Sequence, residues 1–166
     1  MNTINQSYAH IEKLIAKTLT LIESLHEQIV LEADVLQKLS TPEALRDIAV
    51  NKHNLVTQLE QLNSQLSQIL NTENLPNTDE GMHGFFNQAE TAGLLNQQVK
   101  SNWEQIKSLS AQCRILNEQN GMAINLLALH TQRALQILKG QSQTCSTYGR
   151  DGSSQREAFI SSSLSA

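Results

Sequence analysis

The chain has 166 residues, with 12 Lys and Arg against 16 Asp and Glu, and a formal net charge of −4. Only 17% of its residues are charged and 4% are aromatic. This composition disfavours a sheet protein, which is usually richer in Val, Thr and aromatic residues. It also disfavours a nucleic-acid binder that works through phosphates, which needs a basic surplus. No apolar run is long enough for stable membrane insertion, and residues 1–8 do not resemble a signal peptide. We therefore expect a soluble, cytoplasmic, helical protein.

The first part of the chain predicts one long helix, over about residues 3–39. Its apolar residues recur at alternating steps of three and four, a spacing typical of coiled coils and long helical bundles. Glu32 interrupts this row. Leu14, Leu21 and Val35 widen the apolar face, which suits a helix with two neighbours rather than one. The row consists of Ile4, Tyr8, Ile11, Ile15, Thr18, Ile22, Leu25, Ile29, Leu36 and Leu39.

A second helix is predicted over about residues 42–70. Thr41 suits the N-cap position and Pro42 the first helical position, where a backbone N–H would have no partner. Because the connection is short, this helix should run antiparallel to the first. Lys52 takes the one polar slot of its apolar row, and we expect its stem to pack while its ammonium reaches solvent. The row consists of Leu45, Ile48, Leu55, Leu59, Leu62, Leu66 and Ile69.

A connector with one proline and three glycines follows, over residues 71–93. Within it we predict a short helix over about residues 79–90, with Asp79 as the capping residue. Four of its residues are expected to point inward and to close one end of the bundle: Met82, Phe85, Phe86 and Ala89.

The third long helix is predicted over about residues 92–139. Gly121 interrupts it, at a cost of about 1 kcal/mol against Ala in a helix interior. We favour one helix through Gly121, and a break there, giving a fourth long segment, is the alternative. Asn102 and Asn120 are the polar exceptions in its row, and Trp103 beside the row is expected in the core. The row runs through Leu95, Val99, Ile106, Leu109, Cys113 and Leu116.

The predicted fold is all-α: an elongated, coiled-coil-like antiparallel bundle of three long helices with a short connector helix. The bundle is assigned to residues 1–139. Residues 140–166 are polar and increasingly rich in serine, so they cannot bury enough apolar surface to offset the entropy of ordering. They are predicted to form a flexible, disordered tail.

Enzyme signatures are mostly absent from the sequence, and we expect neither catalysis nor a cofactor. Two Glu-x-x-His pairs, Glu23 with His26 and Glu80 with His83, resemble the two such pairs of di-iron four-helix bundles, which use two further glutamates as well. The first pair lies on the flank of its helix, because neighbouring apolar residues occupy the inward row, and the second lies among glycines. A di-iron protein is therefore a remote alternative. Cys113 falls in an apolar row and is interpreted as a small core residue.

Residues 122–138 carry more apolar side chains than one helix contact requires. On a helical wheel, one row contains Ile124, Leu127, Ala134 and Leu138. A second row contains Met122, Leu126, Leu129 and Ile137, with Arg133 among them. Two interpretations are open: a helix buried between two neighbours, or a helix whose second row is a docking face for another helix.

The C-terminal part of the chain resembles the FlgN family of flagellar export chaperones. The resemblance depends on three features in order: Asn120-Gly121 opening a Leu-rich amphipathic helix, then Gln132-x-x-x-Gln136, then Thr147-Tyr148-Gly149-x-x-Gly152. The rest of the chain is similar in length, in its amide-rich helices and in its acidic balance.

This resemblance implies a cytoplasmic, non-enzymatic chaperone of type III export. Its clients would be the C-terminal helical segments of the hook-associated proteins FlgK and FlgL, which it would keep unassembled. It would deliver them to the export apparatus, including the cytoplasmic domain of the export gate FlhA and the export ATPase. The implied gate-docking residues are Tyr148, Gly149 and Gly152. The implied client-binding residues are Met122, Ile124, Leu126, Leu127, Leu129, Arg133 and Ile137. A coiled-coil scaffold, or a secretion chaperone with other clients, is the alternative.

Overall fold

The computed structural model describes residues 2–39 and 41–139, and its regular elements there are four helices. The all-α prediction is therefore confirmed. The predicted tail, residues 140–166, lies outside the described residues. The helices are α1 (Asn2–Gln37), α2 (Pro42–Thr72), α3 (Asp79–Thr91) and α4 (Gln97–Leu138).

The chain divides into two compact units, Met1–Ala123 and Ile124–Ala166. The first unit contains α1, α2, α3 and most of α4, and it carries the hydrophobic core. Of the second unit, the structure describes residues 124–139, which complete α4.

Hydrogen bonds between distant residues define how the helices run within the first unit. The Ser7 hydroxyl donates to Glu73 Oε1 at 2.6 Å, near the start of α1 and the end of α2. Lys52 Nζ donates to Glu32 Oε2 at 2.7 Å, so numbering falls along α2 as it rises along α1. These two helices are therefore antiparallel, as a short connection requires.

Helix α4 follows the direction of α1. The backbone N–H of Asn96, just before α4, donates to the Tyr8 hydroxyl at 2.8 Å. Further along both helices, Asn120 Nδ2 donates to the Ile29 carbonyl at 2.9 Å. Residue numbers thus rise together along α1 and α4, and α2 is antiparallel to both.

The core extends along the apolar rows of the long helices and includes the inward face of α3. Tyr8 stacks on Phe85 with ring centroids 6.4 Å apart. The predicted inward face of α3 is confirmed, because all four of its members are buried with at most 1% exposure: Met82, Phe85, Phe86 and Ala89. Cys113 is also buried, as expected. Trp103 is only half-buried, at the edge of this core.

The start of α3 corrects one prediction. The N-cap is Thr78, whose hydroxyl accepts a hydrogen bond from the Gly81 N–H at 3.2 Å, and Asp79 is the first helical residue. Thr78 precedes Asp79 and is itself a preferred capping residue, so the cap lies one position earlier than predicted. The Asp79 carboxylate instead accepts hydrogen bonds from Trp103 Nε1 at 3.0 Å and from Lys107 Nζ at 3.1 Å.

The start of α4 corrects another prediction. The helix begins at Gln97 rather than near residue 92. Gly93 has φ +69°, a left-handed conformation that ends α3 rather than starting a helix. Asn96 then supplies the cap, since its Oδ1 accepts a hydrogen bond from the Gln98 N–H at 2.9 Å. At its other end α4 continues through Gly121 to Leu138, so the prediction of one helix through Gly121 is confirmed.

Polar residues from three helices meet at one level of the first unit, where Glu32 and Asn120 are buried, Lys52 is partly exposed and Asn117 is exposed. Asn120 Nδ2, which binds the Ile29 carbonyl, also donates to Glu32 Oε2 at 2.9 Å. Lys52 Nζ donates to the same Glu32 oxygen and to Asn117 Oδ1 at 2.8 Å. We call Glu32, Lys52, Asn117 and Asn120 the polar layer. Lys52 was expected to reach solvent with its ammonium, but the structure directs that group to Glu32, because the carboxylate needs a partner when buried.

Candidate functional site

The predicted client-binding residues lie in the last turns of α4. Met122 belongs to the first unit, and the other six belong to the second. We call residues 124–138 the apolar segment. Every predicted residue in it is exposed, with Leu126 at 57%, Leu129 at 50% and Ile137 at 69%. Met122 is also exposed, at 66%.

Both rows of the apolar segment are open in the structure. Leu126, Leu129, Arg133 and Ile137 follow steps of three and four, so they share one face of the helix. The other row is exposed as well: Ile124, Leu127, Ala134 and Leu138. The described structure therefore leaves uncovered the surface that could have been buried between two neighbours.

The chemistry of the apolar segment favours contact with another apolar surface. No acidic residue occurs between residues 124 and 138, and His130 and Arg133 are its only basic or imidazole side chains. Removing such a surface from water desolvates few charges, and each apolar Å² contributes about 25 cal/mol. An exposed apolar helix face of this kind is typical of helix-in-groove recognition.

The predicted gate-docking residues, Tyr148, Gly149 and Gly152, lie outside the described residues. Their assignment stays a prediction from the family resemblance.

A polar cluster around Asp79 is the main electrostatic feature on the surface of the first unit. Hydrogen bonds from Trp103 and then from Lys107 lower the pKa of the Asp79 carboxyl. Hydrogen bonds to Glu104 and then to Asp79 raise the pKa of Lys107. His83 Nε2 lies 3.4 Å from Asp79. These contacts join α3 to α4, and we interpret them as structural contacts between the two helices.

Neither Glu-x-x-His pair is assembled into a metal centre. Glu23 Oε1 accepts a hydrogen bond from Gln105 Nε2 at 3.2 Å, and His83 is next to Asp79. In residues 2–39 and 41–139, no three His, Cys, Asp or Glu side chains are grouped closely enough to hold a metal ion. Burial raises the pKa of the Cys113 thiol, which makes it a poorer nucleophile.

A cavity of about 420 Å³ lies between α1, α2 and α4 within the first unit. The apolar spacing of the helices did not predict this cavity. Apolar side chains of all three helices line most of it, including Ile22, Leu59 and Ile106, with Trp103 and Lys107 also on its wall. Helical spacing can predict which residues face inward, but not how far apart three helices stand, so no sequence signal could have located this space.

The described residues define an all-α protein whose candidate surface is an apolar helix face. None of the helices that the structure describes combines the length and the apolarity needed to cross a membrane. The sequence model of one family, described as FlgN protein, matches residues 1–156. The chain belongs to the FlgN family of flagellar export chaperones, which supports a chaperone role and is consistent with a non-enzymatic one. No curated protein and no solved structure gives a significant match.

Proposed function

We propose that this protein is a cytoplasmic type III export chaperone for the flagellar hook–filament junction proteins FlgK and FlgL. It binds their C-terminal helical segments, prevents premature assembly and delivers them to the export gate FlhA, with the export ATPase as a further contact. Family membership supports the chaperone role. The exposure of the apolar segment is the observation that supports the binding surface.

The apolar segment matches the form of the proposed client. A client segment that is helical in the assembled filament has an apolar face, and an unassembled copy must cover that face to avoid self-association. The row of Leu126, Leu129 and Ile137 offers a complementary face at helical spacing. The second row, with Ile124 and Leu127, gives enough apolar surface for a client to wrap around more than one side.

Release follows from the same physics. A client segment that folds on binding loses conformational entropy, which lowers the affinity for a given buried area. The complex is therefore specific without being permanent. No nucleotide is needed to separate the two proteins, because contacts at the export gate can shift an equilibrium of this kind.

Replacing two leucines of the apolar segment tests the client surface. We expect Leu126→Glu with Leu129→Glu to weaken capture of the FlgK C-terminal peptide at least about 100-fold, because both apolar contacts are lost and two charges are desolvated. Fluorescence anisotropy of a labelled peptide measures the affinity. Circular dichroism should be unchanged, since both side chains are at least half exposed.

A matched control adds the same two charges elsewhere on the segment. Asn125→Glu with Gln132→Glu changes two exposed polar positions that flank Leu129 on the helix, at steps of four and three, and it leaves both apolar rows intact. Its affinity should stay within about threefold of the unmodified chain, because no apolar contact is removed. Equal losses in both variants would reject the proposed surface, and loss of helicity in the leucine variant would show that these residues are core.

The same preparations separate client binding from gate docking. Tyr148→Ala should retain full peptide capture and lose binding to the cytoplasmic domain of FlhA. Truncation after Lys139 should have the same effect. If gate binding survives both changes, the assignment of Tyr148, Gly149 and Gly152 is wrong.

A further inference from the structure

The polar layer is unusual because each of the three long helices contributes one polar residue to it from a heptad series that is apolar elsewhere, except for Thr18 in α1. In α1 the series Ile11, Thr18, Leu25 leads to Glu32, and in α2 Lys52 is followed by Leu59 and Leu66. In α4 the series Val99, Ile106, Cys113 leads to Asn120. These three interruptions, far apart in sequence, occupy one level of the first unit.

Two members of the layer are buried, Lys52 is partly exposed and Asn117 is exposed, and every buried polar side-chain atom of the layer has a hydrogen-bond partner. Glu32 and Asn120 are each 5% exposed. Among the described residues, no buried side-chain nitrogen or oxygen lacks a hydrogen-bond partner. A satisfied buried ion pair of this kind contributes little net stability, since desolvation of both charges offsets their attraction. Its best-attested use is to select one helix arrangement among several that bury similar apolar surface.

Near residue 120, a further contact is needed to select which side of α4 faces α1. The start of α4 is held by the contact of Asn96 with Tyr8. Asn120 lies three heptads beyond Val99, and a straight helix drifts about 20° per heptad away from an exact seven-residue repeat. The connector therefore does not determine which side of α4 faces α1 at residue 120. Leucines and isoleucines tolerate neighbouring rotations, whereas an amide bound to one carbonyl and one carboxylate does not.

We propose that the polar layer sets the rotation of α4 against α1 and α2 at the end of the first unit. Asn120 fixes the rotation of α4 by donating hydrogen bonds to two acceptors on α1, the Ile29 carbonyl and the Glu32 carboxylate. Lys52 holds that carboxylate in place from α2 and binds Asn117, one turn earlier on α4. The layer therefore links all three helices at one level and excludes the rotated pairings that a wholly apolar interface would accept.

Cys113 is a native reporter of this rotation. It lies one heptad before Asn120, it is 5% exposed, and the chain contains one other cysteine, Cys145. With Cys145→Ser in the full chain, the rate of thiol labelling by an aromatic disulfide reports how often Cys113 turns towards solvent. Thermal unfolding, followed by circular dichroism, reports stability separately.

The decisive variant makes the layer apolar: Glu32→Leu, Lys52→Leu and Asn120→Leu together. We expect a melting temperature equal to or above that of the parent, with Cys113 labelled at least about tenfold faster. In contrast, Lys52→Met leaves Glu32 buried without its cation and should lower the melting temperature by about 5–10 °C. A variant that keeps or gains stability while Cys113 loses protection would show that the polar layer selects the rotation of α4 rather than stabilising the fold.

Thr18→Leu is the matched control, because it adds apolar volume to the same heptad series of α1 without touching the layer. It should leave the Cys113 labelling rate unchanged. The proposal is overturned if the apolar variant labels as slowly as the parent, since packing alone would then set the rotation. It is equally overturned if that variant melts as low as Lys52→Met or fails to fold, since the layer would then be a source of stability.

Discussion

The two parts of α4 have the same apolar spacing but opposite environments. In the first unit, Val99, Ile106 and Cys113 recur every seven residues and are all buried. In the second unit, Leu127 and Ala134 continue the same series, yet both are exposed. Heptad spacing therefore specifies the face that a helix offers to a partner, whereas burial depends on whether a partner is present within the same unit.

The two parts also differ in their polar residues. The first part carries Asn117 and Asn120, which engage a buried carboxylate and lysine from two other helices. The apolar segment has no acidic residue and no such network among the described residues. A surface without buried polar partners accepts any complementary apolar face, which suits a client-binding surface better than an internal helix contact.

One substitution in each part of α4 tests the difference in burial, and the substitution in the first part should have the larger effect on stability. Ile106→Glu places an unpaired charge at a position that is 6% exposed, so the free energy of unfolding should fall by about 4 kcal/mol or more. Leu129→Glu, at 50% exposure, should change it by no more than about 0.5 kcal/mol. Urea denaturation monitored by circular dichroism measures both. A loss above about 2 kcal/mol for Leu129→Glu would show that the apolar segment is covered in the free protein.

Alanine substitutions at two glycines should change stability by intermediate amounts and in opposite directions. A Cβ at Gly81 would lie 1.8 Å from the Pro76 carbonyl oxygen, so Gly81→Ala should destabilise the first unit by about 2–3 kcal/mol. A Cβ at Gly121 would meet nothing within 4 Å, so Gly121→Ala should stabilise α4 by about 0.5–1 kcal/mol. Thermal unfolding gives both values. A destabilising alanine at Gly121 would contradict a continuous α4.

A small pH effect is expected at the contact between Asp79 of α3 and the first part of α4. The pKa of Asp79 is lowered in the folded chain, so its contribution to stability is complete above the unfolded value of 3.8 and is lost as the pH falls through the lower folded pKa. Trp103, the chain's only tryptophan, donates to this carboxylate. Its fluorescence should therefore shift in that range before global unfolding. Asp79→Asn should abolish the shift, and a shift that persists would assign it to another group.

The sequence predicted elements better than their junctions. Thr41 takes the N-cap position of α2 without a side-chain hydrogen bond, and Pro42 marked the start of the helix because the effect of a proline is confined to one turn. The start of α3 was also predicted correctly, although its cap was assigned one residue late, whereas α4 begins at Gln97 rather than near residue 92. The contacts of Asp79 with Trp103 and Lys107 were not predicted. Side chains that find distant partners are beyond the reach of local pattern.

The candidate surface was anticipated in part. The two apolar rows were visible in the sequence, and so was the choice between burial and docking. Spacing could not make that choice, because a row of leucines has the same period whether or not another helix covers it. The structure supplies the exposure of Leu126, Leu129 and Ile137.

Few charges, few aromatic residues and a three-and-four spacing were enough to establish helices and their inward faces, because both depend on neighbours within a few residues along the chain. The tertiary structure was needed to show that Glu32, Lys52 and Asn120 meet, that α1 and α4 run in the same direction, and that the apolar segment is exposed among the described residues. Each of these depends on contacts between residues far apart in sequence, whose free energies arise only when the helices are brought together.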